Sequence, residues 1–212
     1  MSVNLQREDV STVEAVIGTV LSRASALELS GPEPGDDVIR QLIAAADRAP
    51  DHGSLRPWRI TVVRGEARQA FGKRLAESAR RRTPEFSQDA FERECRKAMR
   101  APLVLIVAAK ITAGIKVPET EQLMAVAAAV QNMWIVAHAM GLGAMWKTGH
   151  VARDPLFKRE MGLTPDDHIV AFLYVGYPVR TRAVSLRDTE PLVTTFADAI
   201  RQGTCETFDD AN

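Results

Sequence analysis

Three short stretches of the 212-residue sequence gather side chains able to hold or polarise a ligand. "LSRASALEL" sets Arg23 and Ser25 on either side of Ala24. "RAPDHGSLRPW" holds Arg48, Asp51, His52, Ser54 and Arg56 around two prolines. "GAMWKTGH" places Trp146, Lys147 and Thr148 before a glycine. Guanidinium, ammonium and hydroxyl groups donate hydrogen bonds to anions, and a glycine allows backbone N–H groups to approach a ligand closely. Each stretch also has a plainer explanation. An arginine at a helix end serves the terminal carbonyls, and a bend between a helix and a strand needs turn residues.

Other chemistries lack their residues. No G-x-S-x-G elbow and no Cys–His pair in a recognisable context is present, so acyl-transfer machinery is not indicated. Neither G-x-x-x-x-G-K-[ST] nor G-x-G-x-x-G occurs, which argues against a nucleotide held by a standard glycine-rich loop. Cys95 and Cys205 form no C-x-x-C, and His52, His138, His150 and His168 lack metal-site spacing, so no metal site is expected. The carboxylate pairs Asp36–Asp37 and Asp166–Asp167 read as helix starts, where capping explains them more simply than acid–base work.

Lys+Arg and Asp+Glu both number 27, so a broad nucleic-acid-binding surface is unexpected. Hydrophobic residues at 46% and charged residues at 25% suit a soluble globular protein with a core large enough to need no disulfides. The polar start "MSVNLQREDVST" carries no apolar signal segment, and a cytoplasmic location is the expectation. Residues 121–146 are long and apolar, but Gln122, Gln131, Asn132 and His138 interrupt them; a buried central helix is expected in place of a membrane span.

The elements that must position the three stretches follow from periodicity. Val13, Val16, Ile17, Val20 and Leu21 predict an amphipathic helix over 11–23 after a Ser-Thr cap. Asp36 or Asp37 is expected to cap a helix through "VIRQLIAAADRA", ended by Pro50. "WRITVVRG" alternates as a strand. "ARQAFGKRLAESARRR" and "FERECRKAMRA" read as helices, with Arg80–Arg82 a solvated helix end. "LVLIVAAK" and "HIVAFLYVGYP" are continuous apolar runs, as strands buried on both faces require. The long helix ends at Gly141 and Gly143, before a short strand. "RDPLFKREMG" carries Asp154 as N-cap, Pro155 at the first helical position and Gly162 past the end. The tail holds a short apolar segment and a last helix. With no internal repeat or composition break, the chain is expected to be a single domain over 1–212, its core about 11–196, of α+β or α/β class.

Taken in order, "SRAS", "RAPDHGSLRPW", "MWKTG" and "FLYVGYP" resemble the nitroreductase family of flavoproteins, most nearly its short bacterial branch of YdjA-like NAD(P)H nitroreductases. The resemblance spans about residues 11–196. It implies an α+β fold with a mostly antiparallel central sheet flanked by helices. It also implies a domain-exchanged homodimer with FMN in a cleft at the dimer interface. "PLVTTF" (191–196) would add a strand to the neighbour's sheet, and helix 121–140 would lie at the dimer seam. Carried over by motif position, Arg23, the Ala24 backbone and Ser25 would meet the flavin phosphate or ribityl end. Arg48 and His52 would make further flavin contacts. Trp146, Lys147 and Thr148 would lie against the ring, with Lys147 alternatively on phosphate; Arg180 or Arg182 would be a looser phosphate partner.

The sequence departs from the family pattern in two places. Where many relatives read P-S-x-x-N-x-Q-P-W, Asp51, Ser54 and Arg56 stand in the Ser, Asn and Gln places. The usual Arg-Arg-Ser is thinned to Arg23-Ala24-Ser25, removing one phosphate partner and implying weaker FMN binding. The resemblance implies ping-pong transfer from NAD(P)H to a small-molecule acceptor such as a nitroaromatic or quinone. No side chain is then required as catalytic nucleophile or base. Other flavin chemistry on the same fold, of dehalogenase or dehydrogenase type, and a flavin-binding dimer without turnover are the alternatives.

Overall fold

Leu103–Ala109 is apolar at every position because the molecule covers both of its faces, and all seven residues are buried. Leu103, Leu105, Val107 and Ala109 face one core; Val104, Ile106 and Ala108 face another. This is the period of a strand lying between two helical layers.

The computed structural model describes residues 10–180, 184–185 and 189–203. Along the chain run α1 (Val10–Ser22), β1 (Leu29–Ser30), α2 (Asp36–Ala46), β2 (Trp58–Arg64), α3 (Ala67–Arg80) and α4 (Gln88–Arg96). Then follow β3 (Leu103–Ala109), α5 (Glu119–Ala139), β4 (Gly143–Lys147), α6 (Pro155–Glu160), β5 (His168–Pro178) and α7 (Phe196–Gly203). Short 3-10 turns occupy His52–Ser54, Lys97–Arg100, His150–Arg153 and Glu190–Leu192.

All the strand pairs are antiparallel. β3 lies between β2 and β5, and the far edge of β5 takes β4 and then β1. Helices α2 and α5 cover the face that holds Leu105 and Leu173; α3 and α6 cover the face of Ile106 and Phe172, where Phe71, Phe157 and Phe172 pack together. The register of β5 skips Val170 opposite Val107 and Ala108, a bulge that turns Ile169 to the second core. The Val170 carbonyl instead accepts from the Trp146 indole N–H at 2.9 Å.

Several expectations are met residue by residue. Asp154 caps α6 by accepting from the Leu156 and Phe157 amides at 2.9 and 3.3 Å, with Pro155 at the first helical position. Other caps differ. Ser11 and Thr12 lie inside α1, not before it. The N-cap of α2 is Gly35, which leaves Asp36 and Asp37 in the first turn, where they favour the helix dipole without capping. That helix ends at Ala46, four residues before Pro50.

Asp167 does not start a helix. It is 1% exposed just before β5, and its carboxylate accepts from the Ile111 amide at 2.8 Å and the Thr164 amide at 2.7 Å. The polar interruptions of α5 likewise tie it to a loop and to the end of α2. Gln122 donates to the Thr112 and Val117 carbonyls and accepts from the Thr112 amide, and Asn132 donates to the Ala45 carbonyl. One chain buries Val126, Ala129, Val130, Met133 and Ala137 of α5 completely, against α2 and the sheet. Among the described residues no helix is long and apolar enough to cross a membrane.

Candidate functional site

The chain leaves α1 at Ser22 and runs beside the outer edge of β4. Ser25 bridges Ala144 in parallel, and the Ala26 amide donates to the Ala144 carbonyl at 3.1 Å. Gly143 permits this approach, since a Cβ there would sit 2.8 Å from both Ala26 Cβ and Leu29 Cδ2. Ser22, Ala24, Ser25, Glu28, His138, Gly143 and Arg180 line the resulting hollow of about 380 Å³. Ser22 Oγ lies 2.9 Å from His138 Nε2. Arg23 turns inward with its guanidinium carbon 4.2 Å from the centroid of Trp134. One of its terminal nitrogens is buried without an acceptor.

A buried donor with no partner is unfavourable, and a ligand oxygen is one way to satisfy it. Arg180 and the Ser25 hydroxyl add donors, while Glu28 is the one carboxylate lining the hollow. This donor set fits the phosphate end of an anionic cofactor. Of the two looser phosphate candidates, Arg180 lines this hollow, and Arg182 falls outside the described residues.

The bend between α2 and β2 is held in an unusual backbone. Gly53, Ser54 and Arg56 have φ of 77°, 52° and 49°. Such angles are costly for residues with a Cβ and occur where the surroundings enforce them. Asp51 supplies part of that enforcement, accepting from the Arg56 amide at 2.6 Å. The Arg56 guanidinium pairs with Asp47 and shares a shallow groove with Arg40, Trp58 and Arg59. Arg48 is exposed at the end of α2 with no carboxylate partner among the described residues. His52 Nδ1 meets Glu121 Oε2 at 2.6 Å.

Trp146 and Lys147 point to opposite faces of β4, as strand geometry requires of neighbours. The indole of Trp146 is half-buried against the α2–α5 core. Lys147 and Thr148 line a different hollow of about 240 Å³ with Glu94, Lys97, Arg100, His150, Phe172 and Tyr174. Burial pushes the Tyr174 phenol up to about 12 against the opposing effect of Arg100, so the hydroxyl is neutral at working pH.

One chain therefore brings together Ala24, Ser25 and Arg180, and separately Lys147 and Thr148. It does not gather all eight expected residues. His52 touches α5 at Glu121 and Arg23 touches it at Trp134, thirteen residues further. At 1.5 Å per residue that is about 20 Å along the helix. His138 was legible only as a polar break in an apolar helix, and nothing in the sequence linked it to Ser22.

The nitroreductase family profile matches residues 21–177. YdjA of Escherichia coli (strain K12), described as a candidate NAD(P)H nitroreductase, is 36% identical over 180 residues, covering 84% of this chain and 97% of that protein. The crystal structure of a nitroreductase-like family protein from Bacillus cereus superposes with a TM-score of 0.73 at 21% identity, covering 92% of this chain and 98% of that one. A nitroreductase with bound FMN from Bacteroides fragilis NCTC 9343 superposes with a TM-score of 0.64 at 18% identity, over 85% and 97% of the two chains. The antiparallel sheet between two helical layers is the nitroreductase fold, and the chain belongs to the nitroreductase family.

Proposed function

We propose that this chain is the subunit of an FMN-dependent oxidoreductase that draws on NADH or NADPH and reduces electron-poor acceptors such as nitroaromatics or quinones. The observation that carries this reading is the hollow lined by Ser22, Ala24, Ser25, His138 and Arg180 beside β4, in a chain of this family. The FMN bound by the Bacteroides fragilis relative supports it. When bound, the flavin would supply the hydride and electron chemistry between nicotinamide and acceptor.

The residues of the chain bind and orient. Arg23, Ser25 and the Ala24 backbone hold the phosphate or ribityl end, with Arg180 alongside. Lys147, Thr148 and Trp146 serve the ring end, where the Trp146–Val170 hydrogen bond keeps β4 in place. Arg48 and His52 complete the cleft; Arg48 offers an uncompensated positive charge to negative charge that develops in the site. No side chain acts as nucleophile or general base.

A homodimer follows from the same observations. Arg23 and His52 meet α5 about 20 Å apart along its axis in one chain, so a site between two copies unites them more readily. Val13, Val16, Ile17, Val20 and Leu21 of α1 are 45–58% exposed. Covering them is worth on the order of 1 kcal/mol per side chain. Among the described residues no strand pairs the outer edge of β4 past the Ser25 bridge, leaving room for residues 191–196 of a partner. We take the whole chain to act as one domain within that dimer.

The test is steady-state turnover by the FMN-loaded protein with menadione and nitrofurazone as acceptors. Acceptor-dependent oxidation of NADH or NADPH is the expected result. Bound FMN without turnover would favour a flavin-binding module instead.

A further inference from the structure

A second basic hollow lies beyond the proposed flavin site. Arg81, Arg82, His150, Arg153, Asp154, Pro155 and Leu156 line a cavity of about 420 Å³. Asp154 is its one carboxylate among the described residues, and it is already committed: it caps α6 and pairs with Arg81 at 2.5 Å. Arg82 and Arg153 have no carboxylate partner among the described residues. His150 Nε2 is buried and makes no hydrogen bond. Burial, reinforced by Arg82, lowers the His150 pKa, so its ring is neutral near pH 7 and can offer an N–H without adding charge.

Two exposed guanidinium groups without a carboxylate partner among the described residues, lining one cavity with a neutral imidazole, suit a phosphate dianion, which takes two bidentate arginine contacts. Position narrows the source of that phosphate. His150 also lines the hollow that holds Lys147 and Thr148, so the two cavities adjoin through one side chain. The flavin phosphate is already provided for at Arg23, on the other side of β4. The remaining phosphate-bearing participant is the nicotinamide nucleotide, and NADPH differs from NADH only in a 2′-phosphate that arginine characteristically accommodates.

We propose that Arg82, Arg153 and His150 form a phosphate subsite that takes the 2′-phosphate of NADPH and makes this chain prefer NADPH to NADH. The proposal rests on the oxidoreductase reading above. Its test does not require turnover. Calorimetry on the purified protein compares adenosine 2′,5′-bisphosphate, 5′-AMP and inorganic phosphate, for wild type and for the Arg82→Ser/Arg153→Ser double variant.

The expected result is that the bisphosphate binds at least tenfold more tightly than 5′-AMP or inorganic phosphate. The double variant, with an unchanged melting temperature and FMN content, loses that preference. Should the double variant melt early, Arg153→Ser alone is expected to reduce the preference several-fold. Equal affinity for the bisphosphate and 5′-AMP overturns the proposal, as does a preference that survives in both variants. Inorganic phosphate binding as tightly as the bisphosphate would assign the hollow to free phosphate and overturn the NADPH reading. Failure of the oxidoreductase reading shows separately, as protein that binds these nucleotides but neither holds FMN nor oxidises NADPH.

Discussion

At the scale of single residues, Arg23 does little for the fold, and the proposed function gives it a ligand. Its buried nitrogen lacks an acceptor, which costs about 1–3 kcal/mol. Its contact with the Trp134 ring returns about 0.5–2 kcal/mol. These nearly offset, so Arg23→Met is expected to leave the melting temperature of the FMN-free protein almost unchanged. FMN binding, followed by quenching of flavin fluorescence, should weaken tenfold or more, the loss of one charge-assisted contact of about 1.5–3 kcal/mol. A variant that unfolds early yet keeps full FMN affinity would make Arg23 structural. Arg56 shows the opposite case. As a residue type it looked available to a ligand, but the structure folds it back onto Asp47, nine positions earlier. The left-handed backbone at Ser54 and Arg56 produces that return, and side-chain type alone does not encode it.

At the scale of elements, the strands and α6 were legible because their signals are local. Apolar runs covered on both faces gave β3 and β5, and a capping aspartate, proline and terminal glycine gave α6. The roles of the isolated polar residues were not legible, since Gln122 and Asp167 bond to loops, and Asn132 to the last turn of α2, whose proximity is set by packing. Asp167 ties the loop after β3 to the turn before β5. Burial alone would raise its pKa, yet hydrogen bonds from Thr164 and Ile111 prevail and hold it below the ordinary value.

A carboxyl with a depressed folded pKa stabilises above its unfolded value, and that stability is lost as pH falls through the folded one. Asp167→Ala should therefore cost about 2–4 kcal/mol at pH 7, with two buried amides left unpaired. In urea unfolding the gap to wild type should narrow as the pH falls below about 4. A gap that stays constant to pH 3 would show that the charge of Asp167 plays no part.

At the scale of the whole molecule, the sequence brought eight residues into one expected site and a single chain divides them. The order of the motifs carried the family, the cofactor class and the sheet, but not which side chains meet. Adjacent residues such as Trp146 and Lys147 face opposite layers, and a cleft shared between two subunits is invisible to any reading of one chain's contacts. The apolar face of α1, the edge of β4 left unpaired past Ser25 among the described residues, and the roughly 20 Å between the contacts of Arg23 and His52 on α5 are what the proposed dimer would cover and join. What that arrangement does is read most directly by anaerobic titration of the purified, FMN-loaded protein with NADPH and, in parallel, NADH, following the visible flavin absorbance. The proposed function predicts a yellow protein whose flavin band bleaches mole for mole with added nucleotide and recovers when menadione is admitted. A protein that binds no FMN, or whose flavin band is unmoved by either nucleotide, would contradict it.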